Sequence, residues 1–305
     1  MIDALLADGT RIAPTKGPAT EHSGVLLELC NPRARLSRTE TRGRPFSCLG
    51  ELCWYLSGRD DADFITYYLS AYRQFADGDH VFGAYGPRLF NEDEQNQFLN
   101  VVRRLRDHPH SRRAVIQLFR ASDVSVDANN IPCTSTLQFL CRDDKLDLIT
   151  NMRSNDVFLG LPHDVFAFTM FQEIIARSLS IELGTYKHVV GSLHLYDADR
   201  DSAKRFLQEG WQSTTLPMPA MPTGDPWPAI HAILDVEAAF REARPPSSVS
   251  LDRLEAYWAD LAYLLAFFRA YKDKDVDRAG ALREQVTSQV YWSFLEQKLH
   301  LLRGG

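Results

Sequence analysis

The sequence predicts a mixed α/β core followed by an all-helical C-terminal part. Three observations predict it. Short strand-like runs occur between residues 25 and 152, segments with helical spacing interrupt them, and a proline-dense stretch at 211–228 separates both from a helix-patterned tail. The chain has 305 residues, 45% of them apolar, which is enough to bury a sizeable core.

VLLEL at 25–29 reads as a strand. FSCLGELCWYLSG at 46–58 places Leu49, Leu52, Cys53 and Leu56 at helical spacing, with Gly58 as a stop. RRAVIQLF, TSTLQFLC and KLDLITNM are short β-type runs, and Arg142-Asp143-Asp144 makes a turn between the last two. VFAFTMFQEIIARSLS at 165–180 is apolar nearly all round at first, which predicts a buried helix. WQSTTLPMPAMPTGDPWP at 211–228 holds five prolines and one glycine. Proline has no N–H and clashes with a preceding helical turn, so this stretch predicts an extended connector. Beyond it, Ser250 is placed to cap a helix through LDRLEAYWADLAYLLAFFRAYK, and a second long helix is expected from about Val276 to Leu302. The expected organisation is a core at 1–210, a connector at 211–230 and a helical extension at 231–305, packed on the core or on a partner subunit.

The net charge of −6 argues against general nucleic-acid binding. No apolar run is long enough to span a bilayer. The opening MIDALLADGTRIAP lacks a basic-then-apolar signal layout, and five cysteines without a CxxC pair fit reduced thiols. A cytoplasmic protein with no metal site and no membrane partner is expected.

Cys133 lies in Ile-Pro-Cys-Thr-Ser at the mouth of an apparent strand. A lone cysteine is ordinarily a small buried hydrophobe. Here Pro132 makes the approach rigid, polar residues follow at once, and Arg112, Arg113 and Arg153 are near in sequence. Guanidinium groups beside a thiol favour the thiolate nucleophile. Arg153 with Ser154 makes a phosphate cradle, because both donate toward oxygen. Arg112-Arg113 reads equally as a solvated loop.

MRSNDVFLGLP at 152–162 occurs with PC at 132–133, SRR at 111–113, GELCWYLSG at 50–58, AYG at 84–86 and HLY at 194–196. Together these blocks resemble the thymidylate synthase family, in its order and at roughly its spacing, over about residues 25 to 205. The resemblance implies a mixed β-sheet flanked by helices, in a homodimer packed through its sheets. It implies a folate-dependent one-carbon transfer to a pyrimidine nucleotide, with 5,10-methylenetetrahydrofolate as donor. By the same resemblance Cys133 is the nucleophile that adds to C6 of the base, and Arg153 and Ser154 bind its phosphate. Arg112 and Arg113 reach the phosphate from the other subunit, and Lys16 is a further phosphate ligand. His194 and Tyr196 hold the sugar 3′-hydroxyl. Gln138 stands beside the nucleotide, and Tyr85 is the active-site tyrosine. Glu51 organises water and moves protons at the base. Asp156 and Gly160 touch the pterin, Asp156 also lies among the nucleotide contacts, and Tyr72 and Phe75 stand where the family has tryptophans near the folate.

The most informative departure is Asp164. The family reads LGLPFN where this chain reads LGLPHD, residues 159–164. An asparagine amide matches uracil by donating to O4 and accepting from N3–H. Cytosine reverses both demands, which suits a protonated carboxylic acid, or a carboxylate facing N3-protonated cytosine. The same change marks the deoxycytidylate hydroxymethylases, relatives that add water to the transferred carbon. The expected reaction is therefore hydroxymethylation of CMP or dCMP, with CMP favoured. A methylase that makes dihydrofolate is the nearer alternative, and an inactive nucleotide- or RNA-binding relative the farther one. Intact Cys133, Glu51 and Arg153 speak against the latter. Thr134 replaces a histidine common after the nucleophile, the family's basic residues near Thr41 are missing apart from Arg42, and the helical tail replaces the family's closing C-terminal segment.

Overall fold

The computed structural model describes residues 1–37, 43–210, 216–244 and 254–304. Its centre is one six-stranded sheet built from β1 (Thr10–Ile12), β2 (Ala19–Leu29), β3 (Val115–Gln117), β4 (Thr134–Arg142), β5 (Lys145–Asp156) and β6 (Glu182–Tyr196), in the order β1-β2-β6-β5-β4-β3. Neighbours run antiparallel except β5 and β6, which are parallel. A parallel pair needs a crossover, and here a helix, α6 below, supplies it. The β4–β5 hairpin closes through Asp143 and Asp144, whose φ values of 50° and 56° are both left-handed. A two-residue turn of that hand matches the twist of the strands it joins.

The expected strands are present, but 25–29 is the second half of β2, and 112–119 shrinks to three residues of β3. β6 is the longest strand and sits inside the sheet, yet only its HLY end stood out in the sequence. Lys187, His188, Gly184 and Gly191 interrupt its apolar alternation, so no run of strand formers marks it.

α1 (Ile2–Asp8) precedes the sheet, and α2 (Pro45–Leu56) follows its first two strands. Pro45 to Tyr55 are all buried, so α2 is a core helix on every side. Gly58, at φ 69°, ends that segment as expected. α3 (Ala62–Tyr68) lies against α2 at Gly50, where a Cβ would come within 2.2 Å of the Tyr68 ring. α4 (Tyr85–Phe90) and α5 (Gln97–Asp107) lead to β3. α6 (Gly160–Leu179) starts five residues before its expected position, so the LGLPHD segment forms its first turns, and Ser180 at φ 57° stops it. α7 (Arg200–Gln208) follows β6.

The connector is shorter than expected. Residues 211–215 are outside the described residues, 216–226 are extended or turn-like, and α8 (Trp227–Arg241) begins inside the proline-dense stretch. Pro228 falls in its first turn, where a missing N–H breaks no helical bond. Ser250, and with it the expected cap, lies outside the described residues; α9 (Ala256–Lys272) is the helix expected from 251. The single long helix expected at 276–302 is two, α10 (Val276–Gln285) and α11 (Trp292–Leu302). Asp260 on α9 causes the break. Its buried carboxylate accepts the backbone N–H groups of Thr287 at 2.7 Å and Ser288 at 2.9 Å, drawing the chain out of the helical path.

Apolar residues of α2, α6, α8 and α9 belong to one buried cluster. Phe46 on α2 stacks on Phe267 and Phe268 of α9 at 5.5 and 5.9 Å between ring centres. The connector is tied down as well. The Met218 N–H donates to the Arg33 carbonyl at 2.9 Å, and the Met221 N–H donates to Glu173 Oε1 at 2.9 Å. Glu173 also pairs with Arg35 at 2.5 Å, both side chains being fully buried. Among the described residues no helix is long and apolar enough to cross a membrane.

Candidate active site

Cys133 sits half-buried on the loop that enters β4, and its neighbours on both sides are held by side chains from elsewhere. Arg153 on β5 donates from Nε to the Pro132 carbonyl at 2.9 Å and from Nη2 to the Ile131 carbonyl at 3.0 Å. Its own backbone N–H donates to the Cys133 carbonyl at 2.8 Å. On the other side, the Thr134 N–H donates to the Tyr85 hydroxyl at 3.2 Å, and the two hydroxyls pair at 2.9 Å. Thr134 thus braces Tyr85, at the start of α4, against the strand. Burial pushes the Cys133 thiol up; Arg153 and Lys16 pull it down, and Asp164 pushes it up. All three charges therefore act on the sulfur.

Lys16 comes from the loop between β1 and β2. Its ammonium lies 3.9 Å from the centre of the Phe75 ring. Loss of solvent there lowers its pKa, while Cys133 and Asp156 favour its charged form. Phe75 meets Tyr72 edge-on at 6.0 Å, and the Tyr72 hydroxyl donates to Glu51 Oε1 at 2.5 Å. Glu51 itself is buried on α2. Lys16, Phe75, Tyr72 and Glu51 therefore form one connected wall.

The parallel pairing of β5 and β6 sets Ser154 beside Ser192 and Asp156 beside His194. His194 is buried, 3.4 Å from the Ser154 hydroxyl and edge-on to Tyr196 at 4.8 Å. Burial raises the Tyr196 pKa, with further upward contributions from Asp156 and Cys133. Asp156 Oδ1 accepts the N–H groups of Phe158 and Leu159 at 2.7 and 3.1 Å, fixing the turn into α6.

Asp164 lies in the second turn of α6. Burial, then the negative charge of Glu51, hold its carboxyl well above the ordinary range, and a hydrogen bond from Asn155 only partly offsets this. That bond runs from Asn155 Nδ2 to Asp164 Oδ2 at 2.7 Å. Gly160 has its place beside this bond, since a Cβ there would lie 3.1 Å from Asn155 Nδ2.

Three expected residues stand apart. Arg112 and Arg113 are exposed on the loop before β3, and Gln138 Nε2 donates to the Arg112 carbonyl at 3.0 Å. None of them is among the groups that shift the Cys133 thiol. Arg113 instead lines an open groove of about 560 Å³ with Arg103, Arg104 and His108. Thr41 and Arg42 lie outside the described residues. Sequence reasoning missed Asn155, His188 and Tyr186, which continue the Asp164 hydrogen bond into the interior. Asn155 stood within a motif, but nothing in the sequence joined it to β6.

The arrangement is a thiol with Arg153 and Lys16 acting on it, a raised carboxyl at Asp164 with Glu51 acting on it, and half-buried aromatic rings at Tyr72 and Phe75.

The sequence profile of the thymidylate synthase family matches residues 39–224. Similar proteins include a deoxyuridylate hydroxymethyltransferase of Bacillus phage SP01, 31% identical over 211 residues that make up 64% of this chain and 55% of the relative. Another is a deoxyuridylate hydroxymethyltransferase of Pseudomonas phage M6, 29% identical over 52% of this chain and 46% of the relative. A thymidylate synthase of Mycoplasma genitalium is 30% identical over 48% of each chain. The chain thus spans about half the length of the curated relatives it matches.

Proposed function

We infer the function from one premise: this chain belongs to the thymidylate synthase family. It transfers a one-carbon unit to C5 of a pyrimidine nucleotide, and the product is the 5-hydroxymethyl nucleotide of cytosine, from CMP or dCMP. The observation that carries the base assignment is Asp164, a carboxyl held well above its ordinary range where the family has an asparagine amide. A carboxylic acid that keeps its proton donates to N3 and accepts from the 4-amine, which is the cytosine edge.

The chemistry needs C5 to become a nucleophile. Cys133 adds as thiolate to C6 of cytosine, the C5–C6 double bond opens, and the electron pair is shared between C5 and N3, which the Asp164 proton stabilises; loss of the C5 proton and expulsion of the Cys133 thiolate later restore the ring. Arg153 and Lys16 stabilise the thiolate, and a protonated Asp164 no longer repels it. Methylenetetrahydrofolate, when bound, supplies the one-carbon electrophile; Tyr72, Phe75, Asp156 and Gly160 would hold it. Glu51, with Tyr72 donating to Oε1, holds and moves a proton at the base and positions water. Ser154, His194 and Tyr196 orient the sugar and phosphate. Gln138 is assigned beside the nucleotide, and Arg112 and Arg113 to the phosphate of a second subunit, in a homodimer.

The relatives' names favour a second reading, hydroxymethylation of deoxyuridylate. One experiment separates the readings. Purified protein is given methylenetetrahydrofolate with CMP, dCMP, UMP or dUMP, the product is weighed by mass spectrometry, and dihydrofolate is followed by absorbance. A hydroxymethylated cytosine nucleotide without dihydrofolate is expected. A hydroxymethylated uracil nucleotide would move the substrate to the relatives' base, and a methylated one with dihydrofolate would return the chain to the synthase reaction.

A further inference from the structure

Behind Asp164 lies a row of buried polar groups that the proposed reaction does not use. Asn155 Nδ2 donates to Asp164 Oδ2 at 2.7 Å, Asn155 Oδ1 lies 2.9 Å from His188 Nε2, and His188 Nδ1 lies 2.6 Å from the Tyr186 hydroxyl. Asn155 is 4% exposed, and His188 and Tyr186 are 1% exposed. Polar side chains this deep are costly unless donors meet acceptors at every step. Asn155 is the penultimate residue of β5, paired with Leu193 of β6, and its side chain reaches His188, which lies on β6 opposite Thr150.

The row has a direction. Burial pushes His188 down to about 4, so it is neutral and carries one ring proton. With the Asn155 amide nitrogen toward Asp164, the amide oxygen faces His188, which assigns the proton to Nε2. His188 Nδ1 then accepts from the Tyr186 O–H. Every group donates toward Asp164, and Oδ2 is confined to accepting. Among the described residues Oδ1 has no protein partner and is left for the base. As an acid it donates to N3 of cytosine while Oδ2 still accepts from the 4-amine. With every donor reversed, Oδ2–H would donate into Asn155, and Oδ1 would offer only an acceptor, which suits the N3–H of uracil.

We propose that Tyr186, His188 and Asn155 are positioning residues that form a one-way hydrogen-bond relay, and that its direction sets the site's preference for cytosine over uracil nucleotides. The proposal rests on the reading of Asp164 as the residue that meets the base. Gly160 belongs to the same device. A Cβ there would lie 3.1 Å from Asn155 Nδ2 and 3.6 Å from Asp164 Oδ2, so glycine leaves the relay's last bond undisturbed.

The test is calorimetric titration, without folate, of CMP against UMP and of dCMP against dUMP. Wild type is compared with Asp164→Asn, Asn155→Ala and Tyr186→Phe, each checked for fold by circular dichroism. Wild type should favour the cytosine nucleotide. Asn155→Ala should lower the cytosine-to-uracil affinity ratio about tenfold without weakening the uracil nucleotide, since one mispaired polar edge is at stake. Tyr186→Phe, which keeps the ring packing, should lower the same ratio about threefold. If both variants leave the ratio at its wild-type value, or weaken the two nucleotides equally, while Asp164→Asn collapses it, the relay is overturned and the base reader stands. If Asp164→Asn leaves the ratio unchanged, or wild type favours uracil, both readings fall.

Discussion

Cys133 is a thiol that its surroundings pull in both directions. Burial raises it, Arg153 and Lys16 lower it, and the protonation state of Asp164 shifts the balance between them. Cys133→Ala should abolish turnover yet bind nucleotide about as well as wild type, because phosphate and sugar contacts persist; any retained turnover would remove Cys133 as nucleophile. Asp164 makes a second prediction, on stability. In the unfolded chain its carboxyl titrates near ~4, and in the folded chain well above that. Between those values the folded protein holds a proton that the unfolded chain has released. Its contribution to stability is therefore full below about pH 4 and declines as pH rises through the window. Asp164→Asn removes the decline, so its melting temperature should gain on wild type as pH rises above about 4. A difference that stays constant or shrinks across that range would contradict a raised Asp164. The sequence made Cys133, Glu51, Arg153 and Asp164 legible because each sits in a short local motif. It did not reveal the His188 and Tyr186 partners, since they lie on a different strand and meet Asn155 only through side chains.

At the scale of elements, the pattern that local spacing fixes was readable and the pattern that a distant side chain fixes was not. The β4–β5 hairpin carries its own turn in Asp143-Asp144, and α2 and α6 carry their own apolar density. The division between α10 and α11 has no such local signal. Thr287 and Ser288 leave the helix because Asp260, on another helix, accepts two backbone N–H groups and the Thr287 hydroxyl. Asp260→Ala removes the acceptor of two part-buried N–H groups, which should cost about 1–3 kcal/mol in urea denaturation. Asp260→Asn, which keeps one acceptor oxygen, should cost less. A loss for the alanine variant below about 1 kcal/mol would mean that the break is set elsewhere. The close approach of α3 to α2 is likewise invisible to spacing. Gly50→Ala would place a methyl within 2.2 Å of the Tyr68 ring, so α3 must shift and the chain should lose stability.

For the whole molecule, the division into a core, a connector and a helical extension that composition suggests meets a hydrophobic cluster that crosses both boundaries. The outer side of α2 is buried by Phe267 and Phe268, and α8 is locked to α3 where the Tyr68 hydroxyl and Arg241 Nε both donate to the buried Glu237 Oε1 at 2.9 Å. The connector contributes Met218 and Met221, each 1% exposed, and Met221 shares Glu173 with Arg35. Two units that unfold independently need an interface they can afford to expose, and this one contains stacked aromatic rings and hydrogen bonds to the buried carboxylates of Glu173 and Glu237. Glu173→Ala would leave the Arg35 guanidinium buried without its partner, at a cost of about 3–5 kcal/mol. That loss should lower one unfolding transition shared by the whole chain, with far-UV circular dichroism and tryptophan fluorescence giving coincident midpoints in wild type and variant alike. Trp54 on α2 and Trp258 on α9 place reporters on both sides of the connector. Separate midpoints, with the helical signal lost before the fluorescence of the core, would show that the C-terminal helices are a domain of their own.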